Sequence, residues 1–431
     1  MICDNISRDE KGRLQFAGFD CETLALKYAT PLYLMDEEKI RENCRMYKKA
    51  LLDSFGENAS AVYASKAASF KQIYRIMNEE GMSVDAVSLG EIYTALSVGF
   101  PAEKIYFHGN AKTDADIAEA IELGIGCFVS DCIEELDAIE RICEEKNRTQ
   151  KVLLRITPGI DPHTYEAIST GKVDSKFGVA VETGQAIEAV GHALSLSHIE
   201  LDGVHCHVGS SVFDEDVYEQ TADIMLPFMA QVRERYGVTL SVFDIGGGYG
   251  VRYLESDKHI DIPARIMALA EHIKQKCAEL DFPLPFFHVE PGRSIVADAG
   301  MTIYTTAAVK RITGYKSYVA IDGGMADNPR YALYGAPYTV LPCVDEGVET
   351  EVFDLVGRCC ESGDVIQPKV ALPKTVKRGD IIAVCTTGAY NYSMASNYNR
   401  LPKPPVVMLS PKGDYVAVRR ESVRDVAAMD N

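Results

Sequence analysis

Lys66 closes the run YASK, just past the apolar stretch Ala61–Ala64. A lysine there is either a solvated side chain at a strand end or an amine made nucleophilic by desolvation near another cation, the form that makes Schiff bases. In HCHVGS, His205 and His207 fall on one side of an extended chain and Cys206 on the other. That pair admits three readings: metal ligands without a carboxylate nearby, core histidines, or a flat imidazole stacked on a cofactor ring with Ser210 and backbone amides beyond it. In DIGGGYG, Gly246, Gly247 and Gly248 carry no side chains, so their N–H groups can approach an anion, although turns also use glycine. HVEPGRS sets Glu290 close to Arg293. Its carboxylate either caps the following helix or keeps a pyridine nitrogen protonated, making the ring an electron sink. An amine, a stacking group, a phosphate cradle and a carboxylate together fit pyridoxal 5'-phosphate.

These residues need a scaffold that gathers them. Eight β-rich runs recur at Ala61–Ala64, Val84–Val87, Ile105–Phe107, Cys127–Val129, Val152–Ile156, Gly203–Val208, Ser241–Ile245 and Phe286–Val289. Helical periodicity lies between them, at Glu91–Val98, Asp114–Leu123, Ile133–Glu144, Gln185–Ala193, Asp214–Arg235 and Pro263–Leu280. This alternation points to a (β/α)8 TIM-like barrel, with an open doubly wound sheet as the alternative. In a barrel the strand exits converge on one face, where Lys66, His207, the glycines and Glu290 would meet. TYEAISTGKVDSKFG, after the fifth run, reads as a loop over that face. Past Met301 the pattern changes to short β-prone runs such as SYVAID and IIAVCTTG, a mainly β domain that TPLYLM near the amino terminus would join. The expected division is a barrel over 37–303 and a β domain from 1–36 with 304–431.

Composition narrows the class. Of 431 residues, 47% are hydrophobic and 25% charged, ample for a folded, soluble protein with a buried core. A formal charge of −19 works against binding nucleic-acid phosphates in general, so a phosphate ligand needs a local site. The amino terminus has no apolar run and no stretch suits a membrane span, so neither secretion nor a membrane location is expected. Twelve cysteines without paired metal-ligand spacing suit a reducing, cytoplasmic compartment, and no metal is expected.

The motifs YASKA, DAVSLGE, SKFG, HCHVGS, DIGGG, EPGRS, DGGMAD, RYALYGA, CESGD and TGAY with SMASNYN follow one another through nearly the whole chain. In this order the chain resembles the fold-type III pyridoxal-phosphate decarboxylases, which share an alanine-racemase-like barrel, and within them the branch acting on diaminopimelate. The resemblance implies that Lys66 holds the cofactor, His207 stacks on its ring and Glu290 pairs with the pyridine nitrogen. It puts Ser210, Gly246, Gly247, Gly248, Arg293 and Tyr390 around the phosphate or the adjoining substrate pocket. It implies that Cys360 and Glu361 enter from the second subunit of a homodimer, Cys360 as proton donor and Glu361 on the distal ammonium, with Cys359 turned away by strand alternation. Arg330 and Tyr334 match contacts to the distal carboxylate of meso-2,6-diaminopimelate, whose decarboxylation gives L-lysine. YASKAAS and DGGMADNPRYALYGAPY depart from the usual family pattern after the lysine, the methionine and the arginine. The alternatives are a decarboxylase for carboxynorspermidine, ornithine, lysine or arginine, and, more distantly, a barrel metal hydrolase.

Overall fold

The computed structural model describes residues 1–160, 173–214 and 216–430. It divides into two compact units, Cys44–Gly250 with Ile260–Gly292, and Met1–Asn43 with Val251–His259 and Arg293–Asn431. No helix among the described residues is long and apolar enough to cross a membrane.

The first unit contains eight parallel strands: β1 Ala59–Ala64, β2 Ser83–Ala86, β3 Ile105–Phe107, β4 Cys127–Ser130, β5 Gln150–Thr157, β6 Ile199–His205, β7 Val242–Asp244 and β8 Phe286–Val289. Each pairs with the next, and β8 pairs with β1, so the sheet closes on itself. The barrel is therefore the answer, not the open sheet, and closure leaves no strand edge unpaired. The helices between strands start and stop where local chemistry says they should. Thr113 and Asp116 form a reciprocal capping box ahead of Asp114–Leu123, which ends at Gly124 in the left-handed conformation that glycine adopts freely. Asp261 caps Ile262–Glu279, with Pro263 in its first turn, where a missing N–H costs nothing. The helix Lys71–Glu79 had no counterpart among the expected segments, yet it turns Ile73, Tyr74, Ile76 and Met77 inward at helical spacing.

One detail of the barrel differs from expectation. Strand β6 ends at His205 rather than running to Val208, so His207 and Ser210 sit on the loop beyond it. That loop pairs instead with the loop after β7: Val212 N–H donates to Gly248 O at 2.9 Å and Gly250 N–H to Val212 O at 3.1 Å. Most of the expected loop over the barrel face, its residues 164–172, lies outside the described residues. Its end returns to β5, where Thr157 Oγ1 donates to Phe177 O at 2.6 Å and the Arg155 guanidinium lies 4.4 Å over the Phe177 ring.

In the second unit Leu32–Asp36 is buried at every position, as expected of a continuous apolar run at the centre of a sheet. It pairs antiparallel with Gly300–Arg311 and parallel with Val406–Ser410, so the amino-terminal segment does join the β domain. Leu32, Leu34, Met301, Ile303, Val407 and Leu409 fill one core cluster beneath these strands. Val251–His259, inside the range expected for the barrel, groups with this unit because Tyr253 belongs to its second apolar cluster with Tyr304, Tyr338 and Phe353.

Candidate active site

In the barrel unit the strand exits bring together residues far apart in sequence. Lys66 lies in a single turn, Ser65–Ala67, immediately after β1; it is exposed while Ser65 and Ala67 are buried. Glu290 follows β8 and is buried. Its Oε2 accepts from His205 Nε2 at 3.1 Å, and its Oε1 lies 2.9 Å from His108 Nε2, close but outside hydrogen-bond alignment. Burial alone would raise the Glu290 pKa, yet the two imidazoles outweigh it and hold the carboxyl well below its usual range. Burial pushes His205 down to about 4, against the pull of Glu290. His205 is thus a neutral ring donating through Nε2–H, which leaves its buried Nδ1 as the bare acceptor.

His207 is half-buried, and its pKa is driven well below the ordinary imidazole value by desolvation first and then by the Lys66 and Arg155 charges. A neutral ring results, suited to stacking. Gly246 is pressed against it: a Cβ there would lie 2.8 Å from His207 Nδ1 and 2.5 Å from Cys206 O. A Cβ on Gly247 would overlap the Glu290 carbonyl oxygen, and one on Gly248 that of Gly209. Close backbone approach therefore requires all three glycines, and Gly246 and Gly248 also have positive φ values of 76° and 124°. The Gly246 amide already donates to Asp244 Oδ1 at 2.8 Å, so Gly247 and Gly248 remain as candidates for holding an anion. The paired loops bring Ser210 to the same end of β6 and β7.

Asp85, His108, Arg155 and Asp244 were missed as site residues, although all four are buried at the strand exits. Burial raises the carboxyl of Asp85, partly offset by His108, and raises that of Asp244 with Glu290 adding to it. The reading of HCHVGS as lacking a nearby carboxylate is corrected by the fold, which carries Glu290 to His205 across the barrel although 85 positions separate them. His205 and His207 do not act as a pair, since His205 faces Glu290 while His207 lies beyond the strand.

In the β unit, Arg293 and Arg330 are both buried. Arg293 Nη1 donates to Tyr253 Oη at 2.7 Å, and its guanidinium lies 4.7 Å over the Tyr390 ring. Arg330 is stacked 4.3 Å over Tyr253 and 5.3 Å over Tyr338, and its Nη1 is buried without a hydrogen-bond partner. Two buried guanidiniums held on aromatic faces make a strong carboxylate or phosphate receptor. Tyr253 and Tyr338, which organise it, were not singled out from the sequence. Tyr334 is half-buried on the short helix Arg330–Tyr334. Cys360 and Glu361 are exposed and Cys359 is buried, but a turn rather than a strand separates them, between Thr350–Val356 and Val365–Pro373. Asp364 fixes that turn by accepting from Cys359 N at 2.7 Å and Met325 N at 2.6 Å, and Asn399 Oδ1 accepts from Cys360 N at 2.8 Å.

Comparison with known proteins accounts for this constellation. Residues 37–297 match the family model of the pyridoxal-dependent decarboxylase, pyridoxal binding domain. The chain is 42% identical over 424 residues to a diaminopimelate decarboxylase of Bacillus subtilis, covering 98% of this chain and 96% of that one. It is 43% identical to one of Bacillus methanolicus, covering 98% and 97%. A solved diaminopimelate decarboxylase of M. jannaschii in complex with L-lysine superposes with a TM-score of 0.91 at 34% identity, over 99% of this chain and 98% of that one. A barrel whose strand exits carry Lys66, His207 and Glu290, matched over nearly its full length to these enzymes, places the chain in the pyridoxal-dependent decarboxylase family, with the diaminopimelate decarboxylases.

Proposed function

We propose that this chain decarboxylates meso-2,6-diaminopimelate to L-lysine and carbon dioxide with pyridoxal 5'-phosphate as cofactor, a step of lysine biosynthesis. The observation that carries the reading is the buried Glu290 carboxylate at a barrel-strand exit, with the imidazoles of His108 and His205 against its two oxygens. The residues fit the cofactor: three glycines form a cradle that any side chain would fill, and a buried anion stands ready for a ring cation. Bound there, the cofactor supplies a conjugated ring that takes up the electron pair released as the carbon–carboxylate bond breaks.

The chain's own residues divide the remaining work. Lys66 would hold the cofactor through its amine. The neutral His207 ring would pack against the face of the cofactor ring. Glu290 would keep the ring nitrogen protonated, and Gly247, Gly248 and Ser210 would receive the phosphate in the cradle that Gly246 leaves open, with Arg293 and Tyr390 at its margin. Arg330 and Tyr334 bind the distal carboxylate, and Glu361 the distal ammonium. That orientation commits the carboxylate at the D-configured carbon to leave. Cys360 then delivers a proton to that carbon. By the family resemblance Cys360 and Glu361 act in the active site of a second copy, so the working form is a homodimer with shared sites, in the cytoplasm.

Arg330 favours a dicarboxylic substrate, because ornithine and lysine offer no distal carboxylate for a buried guanidinium to meet. A substrate panel tests this choice. Turnover should be confined to meso-diaminopimelate, with kcat/KM for L-ornithine and L-lysine lower by at least about 10³-fold, as expected where a polar site is left unpaired. Comparable turnover of ornithine or carboxynorspermidine would overturn the substrate assignment and leave the cofactor in place.

A further inference from the structure

We propose that His108 and His205 are positioning residues that clamp the two oxygens of Glu290, one imidazole to each, and so set the carboxylate against the cofactor's ring nitrogen. The inference rests on the reading that Glu290 meets that nitrogen, and extends it to two residues on other strands.

The geometry is specific. His108 and His205 approach Glu290 from β3 and β6, at 2.9 Å and 3.1 Å, and pack edge to face with ring centres 4.9 Å apart. His108 and Glu290 are each about 6% exposed and His205 is 1% exposed, so the contact is shielded from bulk solvent. The base of His108 is itself fixed. Its N–H extends the ladder to Ala86 O at 2.8 Å, and Lys112 ties the next residue by donating to Gly109 O at 2.8 Å while holding Val129 O and Glu135.

A carboxylate oxygen has two lone-pair directions. The His205 hydrogen bond to Oε2 and the His108 ring 2.9 Å from Oε1, close though outside hydrogen-bond alignment, together restrict rotation of the group, yet lone pairs remain for a pyridinium N–H. The other charged groups facing Glu290 do not replace the clamp. Asp244 hydrogen-bonds Glu290 but is itself a carboxyl, and Asp85 and Arg155 act on it only through space, as a like and an opposite charge. A carboxylate left without its clamp would swing or take up a proton, and the ring nitrogen would lose a fixed partner.

The test uses the full-length holoenzyme loaded with ring-15N-labelled pyridoxal phosphate and follows the 15N chemical shift from pH 6 to 9. Wild type should show a pyridinium throughout, and Glu290→Ala a neutral pyridine. His205→Leu and His108→Leu should bring loss of the pyridinium signal into this range and lower kcat by on the order of 10- to 100-fold with little change in KM, as misplacement of a reacting group does. Gln places an N–H donor near the imidazole Nε2, so His205→Gln and His108→Gln should restore the signal. If the Leu variants keep the wild-type shift while Glu290→Ala loses it, the clamp is wrong and the role of Glu290 stands. If Glu290→Ala keeps the pyridinium, the underlying reading of Glu290 fails instead. If the Leu variants do not fold, the Gln variants decide alone: a pyridinium retained in both supports the clamp, and one lost in both overturns it.

Discussion

The guanidinium of Arg330 lies 4.3 Å over the ring of Tyr253. The same tyrosine accepts from Arg293 through its hydroxyl at 2.7 Å, so one side chain organises both buried cations. The buried Nη1 of Arg330 has no hydrogen-bond partner among the described residues, which leaves the substrate's distal carboxylate to meet it. Arg330→Leu is expected to raise KM for meso-diaminopimelate by about 10- to 150-fold, the equivalent of about 1.5–3 kcal/mol for a charge-assisted hydrogen bond, while cofactor absorbance is retained. Steady-state kinetics checks this, and an unchanged KM would remove Arg330 from substrate recognition. Tyr253→Phe keeps the ring face and should cost less than Tyr253→Leu.

Lys66 and Cys360 offer a test of shared sites. Lys66→Ala and Cys360→Ala proteins should each be inactive, the first also losing the absorbance of covalently held cofactor. Mixing them under conditions that exchange subunits should restore up to about a quarter of wild-type activity if each site draws one residue from each copy. No recovery, with exchange shown by labelled subunits, would put both residues in one chain's site.

Gly247 is the least replaceable of the three cradle glycines, since a Cβ would overlap the Glu290 carbonyl oxygen. Gly247→Ala should weaken cofactor binding by at least about tenfold as the two loops part, because overlap with backbone cannot be relieved by a rotamer change. Titration of apoprotein with pyridoxal phosphate measures this. An affinity within twofold of wild type would show that the loops yield and that the cradle reading is wrong.

His288 is buried, with Nδ1 2.8 Å from Ser60 Oγ and Nε2 3.3 Å from Tyr106 Oη. Burial takes its pKa down to about 4, with Glu290 opposing. An unfolded histidine titrates near 6.5, so between these values the unfolded chain binds the extra proton. The stability that His288 contributes as a neutral ring is complete above about pH 6.5 and is lost as pH falls towards 4, by up to about 3 kcal/mol. His288→Gln should flatten the fall in urea midpoint between pH 7 and 5. His205 contributes a slope of the same sign, so part of the dependence should persist.

Much of this architecture is legible in the sequence because strands and helices of a barrel alternate in chain order and each announces itself locally. Lys66, His207, Glu290 and the glycines stand out because they end such runs in short, polar or glycine-rich motifs. His108, Asp85 and Arg155 stand at or near the ends of β3, β2 and β5, but Ile105–Phe107 and Ser83–Ala86 are only three and four residues long, and DAVSLGE, which begins at Asp85, does not by itself point to a chemical role. Their role appears only when closure of the barrel turns them onto Glu290. The end of β6 at His205 is equally nonlocal, because the loop beyond it pairs with the loop after β7 instead of extending the strand. Tyr253 sits in a short excursion between barrel elements, and nothing in VRYLES marks it as the platform for two arginines. The opposite exposure of Cys359 and Cys360 was expected from strand alternation and arises from a turn held by Asp364 and Asn399.

The central claim is tested most directly by incubating the purified protein with meso-diaminopimelate, with and without added pyridoxal phosphate, and measuring carbon dioxide and L-lysine together. The account requires cofactor-dependent release of both in a one-to-one ratio. A protein that holds the cofactor on Lys66 yet forms neither product would contradict the assigned reaction.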